Sequence, residues 1–194
     1  MKRSEEIYRE ILFQSMENKN NKLTQTYIAN TLKVSLSIVN FSLKPLIRMN
    51  SIKINQRSLD IIDRKKILYY WASIRNIEKD IIYKTRIDKD IRKIESEMPN
   101  NILYGAYSAY KFKFKDVPAD YSEIYIYSSI NNLDEIEKRF PKNNKNPNLF
   151  VLKRDDNMRE ITIAQIFVDL WNLKEWYAKE FLKALEVKLD GLLE

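Results

Sequence analysis

In the stretch Leu23–Asn50 the apolar positions recur at helical spacing and predict two short helices joined by a tight turn. Thr24 and Ser35 each stand directly before a helix, where a side-chain oxygen can cap the first backbone N–H groups. The predicted helices run from these caps to about Leu32 and to about Met49. The positions expected to be buried are Ile28, Ala29 and Leu32 in the first helix and Val39, Leu43 and Leu46 in the second.

The flanking sequence extends this pattern to about residue 63. Ser4–Glu17 predicts a preceding helix, and Ser51–Ile62 predicts a short hairpin that turns at Gln56–Ser58. Three helices followed by a hairpin form a winged helix-turn-helix, in which the helix that follows the turn enters the major groove of DNA. We therefore predict a winged-helix DNA-binding domain over residues 1–63.

The segment 64–99 is predicted to be a helical connector. Asp63 can cap a helix that ends near Glu78, and the apolar face of this helix can pack on the first domain or pair with a second copy to form a homodimer. The charged stretch Lys79–Pro99 has isoleucines in one narrow stripe and is expected to be mostly helical. Pro99 and the two asparagines after it mark the expected domain boundary.

Residues 100–194 have a mixed pattern and predict a separate C-terminal α+β domain with a small sheet. Ile102–Phe114 is apolar and aromatic and predicts a helix that breaks towards Phe112. The other predicted elements are the strands Glu123–Ser128 and Leu149–Lys153 and the helices Asp134–Phe140 and Glu175–Leu193. The fold class predicted for the whole chain is therefore α+β.

The charge is distributed unevenly along the chain. The net charge is +7, and residues 1–99 carry 20 Lys and Arg against 12 Asp and Glu, a net charge of +8. The excess positive charge lies in the half predicted to bind DNA, where basic residues neutralise phosphates and release counterions. The alternative is a lysine-rich solvated surface that has no nucleic-acid partner.

The absence of cysteine and histidine excludes several kinds of catalytic and metal site. The chain has no Cys and no His, which excludes disulfides, thiol and imidazole catalysis and ordinary zinc sites. It has no run of about 18 apolar residues of the kind that predicts a membrane span. The N-terminal residues MKRSEEIYRE lack the apolar core of a signal peptide, so we expect a cytoplasmic protein.

The side chains expected to contact DNA bases lie on the predicted helix that follows the turn. They are the residues of this helix that are not assigned to its buried face. They are Ser37, Asn40, Phe41 and Lys44. Asn40 can pair with adenine through two hydrogen bonds, Lys44 can reach guanine or a phosphate, and Ser37 tolerates several bases. Phe41 either contacts a thymine methyl group or belongs to the core.

A second group of residues is expected to contact the DNA backbone. Thr24, Gln25 and Ser35 lie at helix N-termini, which favour anions such as phosphate. Lys53 and Arg57 lie on the predicted hairpin, which can reach the backbone or the minor groove. The simpler alternatives are capping alone for Thr24 and Ser35, and a solvated hairpin without a DNA contact.

Signals for catalysis are weak, and we expect no enzymatic activity, no metal and no cofactor. Tyr104–Ser108 followed by Ala119–Ile124 is faintly similar to a nucleotidyltransferase, in which a Gly-Ser helix start precedes two metal-binding acids one residue apart. Here Ser122 stands where the second acid should follow Asp120. Asp169 is a lone acid in an apolar stretch and is expected to be structural. The tyrosines expected in the core, with hydrated hydroxyls, are Tyr104, Tyr107, Tyr110, Tyr125 and Tyr127.

Three segments together resemble those of one protein family. They are WASIRN (Trp71–Asn76), GAYSAY (Gly105–Tyr110) and IAQIFVDLWNL (Ile163–Leu173). In the order of its parts the chain resembles the AbiEi-like winged-helix transcriptional regulators, which include the antitoxins of type IV toxin–antitoxin systems. The resemblance implies a repressor that binds its own operator, with a C-terminal domain that opposes a nucleotidyltransferase-like toxin without stable contact. Lys33 and Asn50 stand where this pattern often has Gly.

The sequence thus favours a sequence-specific transcriptional regulator, a homodimeric repressor that binds double-stranded DNA. The alternative is a protein-binding winged-helix module that docks a toxin or a polymerase subunit, which the apolar Phe41 on the outer helix face suggests. A nucleotidyltransferase-like enzyme is the least supported prediction.

Overall fold

The computed structural model describes residues 1–193 and has an α+β architecture, as the sequence predicts. Contacts within the chain group its residues into two compact units rather than three consecutive segments. The first unit contains Met1–Arg75, Thr162–Val168 and the described residues from Leu185 to Leu193, and the second contains Asn76–Ile161 and Asp169–Ala184. No helix in the described part of the chain is long and apolar enough to cross a lipid bilayer.

Helices and strands occur throughout the described residues, and those in the first 75 residues lie close to their predicted positions. The helices are α1 (Arg3–Leu12), α2 (Gln25–Leu32), α3 (Leu36–Arg48), α4 (Arg64–Ile74), α5 (Ile91–Ser96), α6 (Ala106–Phe114), α7 (Leu133–Arg139), α8 (Ile163–Trp171) and α9 (Ala178–Leu193). A π-helical turn, Phe13–Glu17, continues α1, and 3-10 turns occur at Ile77–Asp80 and Ile130–Asn132. The strands are β1 (Lys22–Leu23), β2 (Ile52–Ile54), β3 (Leu59–Ile61), β4 (Ile81–Thr85), β5 (Leu103–Gly105), β6 (Ile124–Ser128) and β7 (Leu149–Lys153).

The first unit holds α1 to α4 and a three-stranded antiparallel sheet in the order β1-β3-β2. The predicted hairpin is confirmed as β2 and β3, with Ile52 opposite Ile61 and Ile54 opposite Leu59. Strand β1 was not predicted, because the sequence up to Lys22 is a polar break. Its two residues pair with Asp60 and Leu59 of β3.

The turn after α2 and the turn after α3 share one geometry. Lys33 has a φ of 52° and Asn50 a φ of 59°, so both lie in the left-handed region where glycine is favoured. In each turn the next residue donates its backbone N–H to a carbonyl five residues earlier: Val34 to Ala29 and Ser51 to Leu46, both at 3.0 Å. This is the Schellman ending of a helix, here built without glycine.

The core of the first unit confirms the predicted inner faces of α2 and α3. All six positions expected to be buried in these helices are buried, and Trp71 of α4 and Tyr8 of α1 are among the largest enclosed side chains. A charged group is enclosed with them. The carboxylate of Glu5 lies 3.3 Å from a guanidinium nitrogen of Arg75 and also accepts from the indole N–H of Trp71 at 3.3 Å.

The second unit is organised around a four-stranded sheet in the order β4-β7-β6-β5. Strands β6 and β7 are parallel, and the outer strands run antiparallel to their neighbours. One face of the sheet forms a hydrophobic core with α5 and α7. This core includes Tyr83, Ile94, Ile124, Ile126, Ile136 and Val151.

Two predictions for the second unit are wrong. Ile81–Thr85 is an edge strand rather than part of a helical connector over 64–99, since the β-branched residues Ile81, Ile82 and Thr85 favour an extended chain that pairs with β7. The helix predicted over Ile102–Phe114 begins only at Ala106, because Leu103–Gly105 pair with β6 as a strand.

Several tyrosines of the second unit donate their hydroxyls to carboxylates, and Tyr104 donates to the backbone carbonyl of Glu95 at 2.7 Å. Four of the five expected core tyrosines are buried, and Tyr104 is partly exposed. Tyr107 and Tyr125 both donate to Glu175, at 3.0 and 3.3 Å, rather than to solvent. Asp169 is fully buried and accepts a hydrogen bond from the hydroxyl of Tyr127 at 2.7 Å. Burial and the charge of Glu175 raise the pKa of Tyr125, so its hydroxyl stays a donor.

Candidate nucleic-acid interface

The outer face of α3 carries four of the predicted site residues. Ser37, Asn40, Phe41 and Lys44 are all exposed, while Val39, Leu43 and Leu46 on the opposite face are buried. The Phe41 side chain is 70% exposed, so the alternative that it belongs to the core is wrong. The ammonium nitrogen of Lys44 lies 5.7 Å from the centre of the Phe41 ring, a cation–π distance.

Three hydrogen bonds stabilise α3, one at its N-terminus, one on its inner side and one at its C-terminal end. Ser35 caps the helix, since its hydroxyl accepts from the backbone N–H of Ile38 at 3.3 Å. Tyr8 of α1 donates its hydroxyl to the carbonyl of Ser42 at 2.8 Å, and both groups are buried. The side chain of Ser51 donates to the carbonyl of Leu46 at 2.9 Å, where the helix ends. The exposed face is therefore presented by a helix that is fixed on its other side.

A groove lies between the N-terminus of α2 and the turn of the hairpin. It has a volume of about 310 Å³. Its walls bring together Thr24, Gln25 and Arg57, which the sequence assigned to backbone contacts from separate segments. Thr24 also caps α2 by accepting from the backbone N–H of Tyr27 at 2.9 Å, as predicted. The groove exposes a cation and polar groups beside a helix N-terminus, which is an arrangement suited to an anion.

The turn of the hairpin contains no glycine and is stabilised by one backbone hydrogen bond and by side-chain hydrogen bonds. The backbone N–H of Asn55 donates to the carbonyl of Ser58 at 2.8 Å, and the side chains of both residues donate to the Asp60 carboxylate at 2.6 and 2.9 Å. Arg57 is exposed at the tip of this turn. Asp60 therefore fixes the segment that carries Arg57.

The remaining predicted residue, Lys53, is separate from the groove. It lies exposed on β2, directly opposite Asp60 in the register of the hairpin. The prediction also missed residues that line the groove or flank the α3 face. They are Thr26, Asn55, Gln56 and Ser58 in the groove and Leu36 in the first turn of α3, which is 47% exposed. Polar residues at a predicted turn were the available signal for Asn55 and Gln56.

Comparison of the chain with protein-family models, with curated proteins and with solved structures finds no match.

Proposed function

We propose that residues 1–63 form a winged helix-turn-helix and that the protein is a sequence-specific DNA-binding regulator of transcription. The observation that carries this proposal is the outer face of α3, where Ser37, Asn40 and Lys44 are exposed together while the opposite face is buried. Helix α3 is held from its inner side and bears hydroxyl, amide and ammonium groups on its outer side. Such a helix suits the major groove, which is wide enough to admit it.

The proposed roles follow from the donors that each side chain offers. Asn40 pairs with adenine through its amide, and Lys44 donates to guanine or to a phosphate. Thr24, Gln25 and Arg57 take a phosphate in the groove beside the N-terminus of α2 and so set the register of the protein on the duplex. The net charge of +8 in residues 1–99 supports the same assignment, because it supplies affinity that does not depend on sequence.

The test is selection of duplexes from a randomised pool with the full-length protein, followed by affinity measurements on the selected sequence. Asn40→Ala and Lys44→Ala should each weaken binding by about 1–3 kcal/mol. The matched controls Asn144→Ala and Lys142→Ala change exposed residues of the same types in a loop of the second unit and should leave affinity unchanged. Recovery of no consensus sequence would contradict the proposal, as would unchanged affinity of both α3 variants.

The resemblance to AbiEi-like regulators extends the proposal to a cytoplasmic homodimeric repressor of its own operon, with an antitoxin role against a nucleotidyltransferase-like toxin. Co-expression with a nucleotidyltransferase encoded by a neighbouring gene tests the antitoxin role. Rescue of growth supports it, and continued toxicity in the presence of the folded protein contradicts it. Light scattering of the purified protein tests the dimer separately.

The exposure of Phe41 favours one second candidate, a module that docks a protein such as a toxin or a polymerase subunit. Phe41 and Ile38, three residues apart on α3 and 70% and 39% exposed, leave neighbouring apolar surface on the helix, which is typical of protein-binding faces. A stable complex that survives high salt and is lost in Phe41→Ser, without any DNA shift at low salt, would support this candidate over DNA binding.

A further inference from the structure

The second unit contains an open groove that the proposed DNA-binding function does not use. It lies over the sheet face opposite to the core formed with α5 and α7, and it has a volume of about 490 Å³. This is within the range of about 300–1,000 Å³ that is usual for small-molecule sites. Residues that line it include Glu78, Ile81, Lys84, Tyr125, Phe150 and Glu175.

A bulge in the edge strand turns Lys84 into this groove. Ile81 pairs with Leu152 and Lys84 pairs with Phe150, so three steps along β4 match only two along β7. Side chains two apart on β7 point to the same face, and the extra residue therefore brings Ile81 and Lys84 to the face of Phe150. Without the bulge, one of the two would point into the opposite core.

The register then sets an aromatic pair beside Lys84. Phe150 lies between Lys84 on β4 and Tyr125 on β6 in one row across three strands. The rings of Tyr125 and Phe150 are stacked, with centroids 4.8 Å apart and planes 10° from parallel. Tyr125 stacks on one face of the Phe150 ring, Lys84 lies on the other side of Phe150 in this row, and Phe150 lines the groove. Phe150 is on an inner strand and yet is partly exposed.

The charged groups around this ring differ in their hydrogen-bond and ion-pair partners. The Glu175 carboxylate accepts from both Tyr107 and Tyr125, and the exposed pair of Glu78 and Lys174 is joined at 2.5 Å. Among the residues that the structure describes, Lys84 has no carboxylate within ion-pairing distance, and its charge acts over a longer distance on Glu78, whose pKa is lowered by Lys174 first and also by Lys84. The groove therefore offers an exposed ammonium group without a close ion pair beside the partly exposed ring of Phe150.

We propose that this groove binds a small planar aromatic anion, whose ring stacks on Phe150 and whose negative group pairs with Lys84. A ligand ring that stacks on Phe150 extends the existing pair of rings, and the ammonium group supplies a charge-assisted hydrogen bond. A mononucleotide and an aromatic carboxylic acid share this chemistry. The site belongs to the second unit alone and does not depend on DNA binding by the first.

Calorimetric titration of the full-length protein tests the proposal with two probes, AMP and salicylate. Their uncharged counterparts, adenosine and salicylamide, keep the ring but lack the anion. At least one anionic probe should saturate a single site below about 1 mM, and its uncharged counterpart should bind about fivefold more weakly or not at all. Saturation by AMP alone identifies a nucleotide, and saturation by salicylate alone identifies an aromatic acid.

Variants of this chain assign the binding to the groove. Lys84→Gln should weaken the anionic probe about fivefold, and Phe150→Leu should weaken it about threefold to tenfold while retaining an apolar side chain. The control Lys153→Gln alters an exposed lysine on the same sheet and should bind as the unaltered protein does. Lys84 is exposed, so its variant is informative even if Phe150→Leu fails to fold. If neither AMP nor salicylate saturates a site, the proposal is overturned. It is also overturned if Lys84→Gln binds the anionic probe as tightly as the unaltered protein does.

Discussion

The hydroxyl of Tyr8 donates to the backbone carbonyl of Ser42 across 2.8 Å inside the first unit. Tyr8 belongs to α1 and Ser42 to the inner face of α3, so one hydrogen bond joins the first helix to the proposed recognition helix. Burial is the main cause that raises the pKa of Tyr8, and the hydroxyl therefore keeps its proton in any ordinary buffer. The outer face of α3 depends on this inner anchorage.

Removal of this anchor should lower stability moderately. Tyr8→Phe keeps the ring and deletes only the donor, and it should lower the free energy of unfolding by about 1 kcal/mol. Tyr27→Phe is the matched control, because the hydroxyl of Tyr27 bonds to Glu10 on the exposed surface and should contribute less. Urea denaturation of both variants measures the difference. Equal losses in the two variants would contradict the structural role of the Tyr8 contact.

The left-handed backbone at Lys33 makes a stabilising substitution predictable. Glycine adopts a φ near 52° without the clash that a Cβ atom causes, so Lys33→Gly should stabilise the protein by about 0.5–1 kcal/mol. Asn30→Gly, within α2, should instead cost a few tenths of a kcal/mol, roughly the difference in helix propensity. Thermal unfolding followed by circular dichroism tests both signs. A loss of stability in Lys33→Gly would contradict the turn geometry.

The buried pair of Glu5 and Arg75 should be sensitive to loss of one partner. Their side chains are 3% and 1% exposed, so Glu5→Gln removes an enclosed negative charge that pairs with the guanidinium. We expect a loss of about 3 kcal/mol in the free energy of unfolding. Glu135→Gln breaks an exposed pair with Arg139 and should cost at most about 0.5 kcal/mol. A small effect of Glu5→Gln in urea denaturation would contradict this assignment.

The hairpin lysine and arginine should affect DNA affinity without affecting sequence preference. If Lys53 and Arg57 contact phosphates, each alanine variant should reduce the slope of log affinity against log salt by about one. Their effect should be the same on a selected duplex and on an unrelated one. Anisotropy titrations at several salt concentrations measure this, with Lys142→Ala as the control. A change in base preference for Arg57→Ala would instead place its side chain against a base edge.

The acid Glu123 should make the stability of the protein depend on pH. Burial and the charge of Glu175 raise its pKa above the ordinary 4.5, so the folded state holds this proton more tightly than the unfolded state. The resulting stabilisation is complete below pH 4.5 and is lost as the pH rises through the raised pKa. Glu123→Gln keeps an acceptor for the Tyr177 hydroxyl and removes the titration.

The expected result is a variant that gains stability over the unaltered protein as the pH rises from 4 to 7. Urea denaturation at intervals across this range measures the gain, and the exposed Glu135→Gln serves as the control. A difference between Glu123→Gln and the unaltered protein that stays constant with pH would contradict the raised pKa.

Local signals in the sequence predict α2 and α3 well. The caps Thr24 and Ser35, the helical spacing of Val39, Leu43 and Leu46, and the hairpin alternation all depend on residues within a few positions of one another. Helix ends and inner faces are therefore visible before any tertiary contact is known. The exposed residues of α3 are then those that remain once its buried positions are assigned.

The features that the sequence did not predict depend on distant partners. Strand β4 forms because β7, much later in the chain, offers it an edge, whereas the spacing of Ile87, Ile91 and Ile94 alone favours a helix. The groove that joins Thr24 to Arg57 likewise needs β1 to pair with β3. A two-residue strand in a polar stretch carries too few side chains to be recognised from its pattern.

The central claim is that the outer face of α3 reads a DNA sequence. The most direct measurement is a mobility shift with the DNA upstream of the protein's own gene, in excess unrelated competitor, for the unaltered protein and Asn40→Ala. We predict a shift that survives the competitor with the unaltered protein and is lost or strongly weakened with Asn40→Ala. A shift abolished by competitor, or one equally strong with the variant, would contradict sequence reading by α3.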